Sequence, residues 1–130
     1  PGIIGLGAGV RLLNKIGIEA VCQHERELTE KLQRGLRAIG GVTVYGPSDC
    51  REKTAVAAWN LEGRPCEEIA LALNDRFGIA VRAGLHCSGL AHETIGTQDI
   101  GCVRMCPGFY TGEEEIRKTL EAVRELAAER

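Results

Sequence analysis

The chain has no excess of charge of one sign. Its 16 lysines and arginines stand against 18 aspartates and glutamates, a formal net charge of -2, which gives no electrostatic reason to expect nucleic acid or an anionic membrane as partner. Long apolar runs are also missing. None approaches the roughly 18 residues of a spanning helix, and the apolar opening PGIIGLGAGV lacks the basic flank and cleavage signature of a secretory leader. There is no internal repeat and no low-complexity linker. The first residue is not Met, and the opening reads as the middle of something, so a piece of a longer protein is expected. With no sign of secretion, the six cysteines are expected to be reduced thiols of a cytoplasmic protein rather than a disulfide framework.

What is present is ordinary globular composition, 44% hydrophobic and 26% charged over 130 residues. That length suits one domain, which buries roughly two-thirds of the surface its unfolded chain exposes.

Periodicity then sets out the elements. Ile18, Val21, Cys22, Leu28, Leu32, Leu36 and Ile39 fall mostly three or four apart with charges between them, which predicts an amphipathic helix over 18–39. Gly17 separates it from an earlier helix over 4–16, whose Gly5, Gly7 and Gly9 weaken propensity but allow close packing. GVTVYGP and AVAAWNL read as strands able to pair as a hairpin. EGRPCEEIALALNDRFG reads as a helix, with Pro65 where a first turn accepts it, Ile69, Leu73 and Phe77 on one stripe, and Gly78 as the stop. IAVR and CVRM are third and fourth strands. In TGEEE, Thr111 and Glu114 fit a capping box opening a last helix that buries Ile116, Leu120, Val123 and Ala127. The expected fold is α+β: a small antiparallel or mixed sheet of about four strands with helices on one face. Residues 83–100 form a connection longer than structureless loops usually are unless functional.

That connection carries the chemistry, in RAGLHCSGLAHETIGTQDIGCVRMCPG. Three readings of Cys87 are open. It is a buried structural thiol, a common state of free cysteine; or a nucleophile on a turned loop between Gly84 and Gly89, its thiolate favoured by a protonated His86 or His92; or one ligand of a metal site with His92, Cys102 and Cys106. The third is disfavoured by geometry, because Cys102 and Cys106 lie about 13 Å apart if the strand is extended, and no metal is expected. Arg82 and Arg104 bracket the loop. Each is a solvated strand arginine or half of a carboxylate clamp, for which the planar guanidinium is well shaped. His24, Cys22, Cys50 and Cys66 need no function.

The pairing of GIAVRAGLHCSGLAH with VRMCPGFYTGEEEI resembles the C-terminal end of the group II cysteine desulfurases and selenocysteine lyases, in the class V aminotransferase branch of fold-type I pyridoxal phosphate enzymes. PGIIGLGAGV, GVTVYGP and the WNLEG region are similar to family segments too, so the resemblance spans essentially all of 1–130. It implies the small C-terminal domain of such an enzyme, converting L-cysteine, or selenocysteine, to alanine. Cys87 would be the persulfide-forming nucleophile, Arg104 would bind the substrate's α-carboxylate, and Arg82 would shape the same pocket. It also implies a homodimer, a sulfur-acceptor protein, and pyridoxal phosphate in the complete enzyme. None is expected bound to this chain alone, because the cofactor-binding large domain would be absent: Lys15, Lys31, Lys53 and Lys118 sit at a helix end, on a helix face, in a polar loop and in the last helix. Another class V reaction, such as transamination or β-elimination, and a stand-alone sulfur carrier are the competing readings.

Overall fold

The computed structural model describes residues 1–129. Five helices and three strands follow one another as α1 (Gly2–Ile16), α2 (Ile18–Arg37), β1 (Val42–Tyr45), β2 (Ala57–Leu61), α3 (Cys66–Phe77), α4 (Gly89–Ile95), β3 (Val103–Met105) and α5 (Glu113–Ala128), with one 3₁₀ turn at Cys50–Glu52. The architecture is α+β, as expected. Among the described residues no helix is long and apolar enough to cross a membrane.

The sheet has the order β1-β2-β3 and is antiparallel throughout. Val42 faces Leu61 and Val44 faces Trp59, while Trp59 faces Val103 and Ala57 faces Met105. Strand alternation therefore puts Ala57, Trp59, Leu61, Val103 and Met105 on one face, and all five are buried. Against that face lie Leu28, Leu32 and Leu36 of α2, Ile69 and Leu73 of α3, and Ile116, Val123 and Leu126 of α5. All but Leu126 are residues whose spacing marked the helices; in α5 Leu126 is fully buried, while Leu120 and Ala127 are only partly so. α2 and α5 come together closely at Gly35, where a Cβ would stand 2.3 Å from Leu120 Cδ1.

Three local expectations change. IAVR is not a strand. Gly78 closes α3 in the left-handed conformation, and the Ile79 N–H is used on the Leu73 carbonyl at 3.0 Å, so Ile79 and Val81 pack beside the core without joining the ladder and only Arg82 makes a bridge. The sheet has three strands rather than four. The 83–100 connection is not structureless, because it contains α4, closed by Gly96 at φ +70. The capping residues of α5 are shifted by one: Gly112 is the N-cap and its N–H donates to Glu115 Oε2 at 2.6 Å, while the Thr111 hydroxyl accepts from Gly108 N–H and Glu114 pairs with Arg117.

α1 differs from the other long helices in burying nothing. Ile3, Ile4 and Leu6 are 90%, 75% and 71% exposed.

Candidate functional site

The face of the sheet opposite the helices carries Thr43, Tyr45, Ala58, Asn60 and Arg104, by the same alternation that buries their neighbours. Arg104 is half-buried and lies across from Arg82, which is exposed. The pair exchanges both backbone hydrogen bonds, Arg82 N–H to the Arg104 carbonyl at 3.2 Å and Arg104 N–H to the Arg82 carbonyl at 2.7 Å. Directly opposed antiparallel residues project to the same side, so the two guanidiniums share one face. Among the described residues no carboxylate makes an ion pair with either. Gly84 and Cys102 repeat the exchange two residues on, at 3.1 and 3.2 Å.

Gly101 makes that second pairing possible. It sits at φ +62, and a Cβ there would stand 2.8 Å from the Gly84 Cα, so only a residue without a side chain lets the two backbones meet.

From Gly84 the chain enters a tight turn in which Ser88 N–H donates to the Leu85 carbonyl at 2.9 Å. Its two central residues are His86 and Cys87, at φ +53 and +58, the only non-glycine residues with positive φ among those described. Glycine or asparagine normally fills such positions; a side chain there costs of order 1–3 kcal/mol, and such strain concentrates at functional sites. The turn holds the Cys87 thiol in the open, and Cys87 is exposed. The reading of Cys87 as a buried structural thiol is therefore set aside. A groove of about 1020 Å³, lined by Thr43, Tyr45, Asn60, Glu67 and Ile100, extends along the same sheet face to Gly84 and Leu85, next to this turn.

Behind the turn lie His86, His92 and Cys102. His86 Nε2 is 3.0 Å from the Cys102 carbonyl, which can only accept, so Nε2 carries the proton, and Nδ1 is buried without a partner. Burial, together with the charges of Arg104, His92 and Arg82, lowers the His86 pKa below the ordinary histidine value. A neutral His86 is thereby favoured, and it does not supply the positive charge that would favour a Cys87 thiolate. His92 is buried, with Nδ1 2.7 Å from Thr97 Oγ1. Burial pushes the Cys102 thiol up. The four-residue metal set considered from the sequence does not assemble: His92 and Cys102 come together, His86 joins them, and neither Cys87 nor Cys106 belongs to the cluster. His92 is brought there by α4, a helix within the connection that the sequence predicts as loop.

The four lysines, the residue type to which an aldehyde cofactor attaches, lie in separate places. Lys31 is paired with Glu113 and Lys118 with Glu114 on the surface. Lys15 lies in the last turn of the uncovered α1. Lys53 is half-buried beyond the 3₁₀ turn, its pKa lowered by burial, next to Tyr45, Thr54 and Ala58 rather than Cys87.

Residues 1–119 match the class V aminotransferase family, and the chain belongs to it. A probable cysteine desulfurase of Methanothermobacter thermautotrophicus is 33% identical over 97% of the chain, and a cysteine desulfurase of Synechococcus elongatus is 37% identical over 95%. The apo structure of a cysteine desulfurase from Thermococcus onnurineus superposes with a TM-score of 0.90 at 30% identity over 98% of the chain. The cysteine desulfurase CsdA of Escherichia coli, at 24% identity and a TM-score of 0.82, shares the fold. The chain spans 31% of the Methanothermobacter protein, 19% of the Synechococcus protein and 31% of the Thermococcus chain.

Proposed function

We propose that this chain is the C-terminal domain of a pyridoxal phosphate-dependent cysteine desulfurase, contributing the sulfur-accepting thiol and the carboxylate clamp. The observation that carries this reading is the exposed Cys87 on a strained turn, rooted beside two arginines that share a face and pair with no carboxylate among the described residues. Family membership and the cysteine desulfurase relatives support it.

Each residue has a role that its position suits. Arg104, half-buried on the sheet, binds the substrate's α-carboxylate, where a guanidinium offers two parallel donors. Arg82 strengthens the same anion site. The Cys87 thiolate forms a bond to the substrate's sulfur, the bond from that sulfur to carbon breaks, and carbon keeps the electron pair and takes a proton to give alanine. Cys87 is left as a persulfide. An exposed turn lets the same sulfur be handed to an acceptor protein.

Pyridoxal phosphate, which the family implies, finds no fitting anchor among these residues, so its attachment is assigned to the part of the enzyme outside this chain. The uncovered apolar side of α1 supports a second body packed against it, since an apolar helix normally buries its stripe. Sulfide and alanine production from L-cysteine by the complete enzyme tests the proposal. Cys87→Ala is expected to abolish both, and undiminished alanine with sulfide would transfer the assignment to another class V reaction.

A further inference from the structure

His86, His92 and Cys102 place three potential ligand atoms, one from each side chain, within 4.8 Å of one another. The three come from separate places, the strained turn, α4 and the residue before β3, and the Gly84–Cys102 pairing holds the first and last together. We propose that they form a zinc(II) site at the base of the Cys87 turn, with three protein ligands and one open position.

The spacing fits the ion. With zinc to nitrogen near 2.0 Å and zinc to sulfur near 2.3 Å, a tetrahedral site separates nitrogen from sulfur by about 3.6 Å, close to the spacing of three ligand atoms that all lie within 4.8 Å of one another. The donor set of two imidazoles and one thiolate suits a borderline-soft ion and not magnesium or calcium. The outer partners are of the kind that orient metal-binding histidines. Thr97 Oγ1 meets His92 Nδ1, which frees His92 Nε2, and the Cys102 carbonyl meets one His86 nitrogen while the other is buried without a partner. Cys102 releases its thiol proton to water on binding. Arg82 and Arg104 oppose a bare dication near His86, and the Cys102 thiolate offsets one unit of that charge.

No fourth protein ligand joins the cluster among the described residues. Three ligands and an open position are the pattern of zinc sites that bind an exchangeable group. Cys87 follows His86 directly on the same turn, so the ion fixes the segment that carries the thiol and leaves a coordination position for a sulfur or water ligand. This reading departs from the sequence expectation of no metal.

Cobalt(II), a spectroscopic stand-in for zinc, tests the site on the full chain after treatment with a chelator. The expected result is one equivalent bound, with tetrahedral visible bands and a thiolate charge-transfer band, both removed by excess zinc. Cys102→Ser should abolish the charge-transfer band. Because Cys102 is buried, Thr97→Val gives a second reading from outside the ligand set: it should keep the native circular dichroism and weaken cobalt binding about tenfold. Absence of tetrahedral bands, or bands unaltered by both substitutions, would overturn the proposal. Cobalt binding needs neither cofactor nor cysteine substrate, so its failure would leave the desulfurase assignment standing.

Discussion

Arg82 and Arg104 face each other across an antiparallel bridge with both backbone hydrogen bonds made, at 3.2 and 2.7 Å, and their guanidiniums lie on one face. Like charges directly opposed across strands are destabilising. No carboxylate of the described residues pairs with either, which leaves both charges open to the carboxylate that the proposed clamp would bind. Arg82→Thr is therefore expected to stabilise the chain by up to about 1 kcal/mol in urea denaturation, while raising KM for cysteine in the complete enzyme. Loss of stability would contradict the repulsion.

Gly101 tests the local fold. Gly101→Ala forces a side chain into a left-handed position and against the Gly84 backbone, so destabilisation of roughly 1–3 kcal/mol is expected from strain and overpacking. Proteolytic susceptibility of 84–101 should rise with it. A neutral substitution would show that the Gly84–Cys102 pairing does not hold the turn.

Cysteine reactivity should divide into two groups. Cys22, Cys87 and Cys106 are exposed, while Cys50, Cys66 and Cys102 are buried, and burial raises the thiol pKa of Cys66 and Cys102. Mass spectrometry after brief treatment of the native chain with an alkylating reagent should find the first three modified and the others protected until denaturant is added. Early modification of Cys102 would contradict its place behind the turn.

The lowered pKa of His86 gives a pH dependence of stability. The unfolded state binds that proton more readily, so the contribution is complete above the ordinary histidine value of about 6.5 and is lost as pH falls through the lower folded value. Urea midpoints of the native chain should fall over that interval, and those of His86→Gln should fall less. Parallel profiles would place the dependence elsewhere.

Much of this was legible beforehand. Leu28, Leu32 and Leu36, then Ile69 and Leu73, then Ile116 and Val123 marked three helices because each had to bury a stripe, and all of them are in the core. The hairpin followed from two apolar runs around a polar turn. IAVR was misread because its apolar residues pack on the core as a strand's would, while the Ile79 N–H closes α3, a tertiary choice that periodicity does not record. α4 was missed because seven residues carry too little pattern, although Ser88 before it and Gly96 after it were helix signals. Cys87, Arg82 and Arg104 stood out by residue type. The shared face of the arginines depends on register, and the meeting of His86, His92 and Cys102 depends on α4 and the Gly84–Cys102 pairing, so neither was readable along the chain.

The most direct measurement is to find where sulfur goes. The complete enzyme is given L-cysteine, persulfides are trapped by alkylation, and its peptides are mapped by mass spectrometry. One additional sulfur atom on Cys87, with alanine formed in step and both lost in Cys87→Ser, is the expected result. Alanine and sulfide formed at the native rate by Cys87→Ser, or persulfide carried by another cysteine, would contradict the role of Cys87.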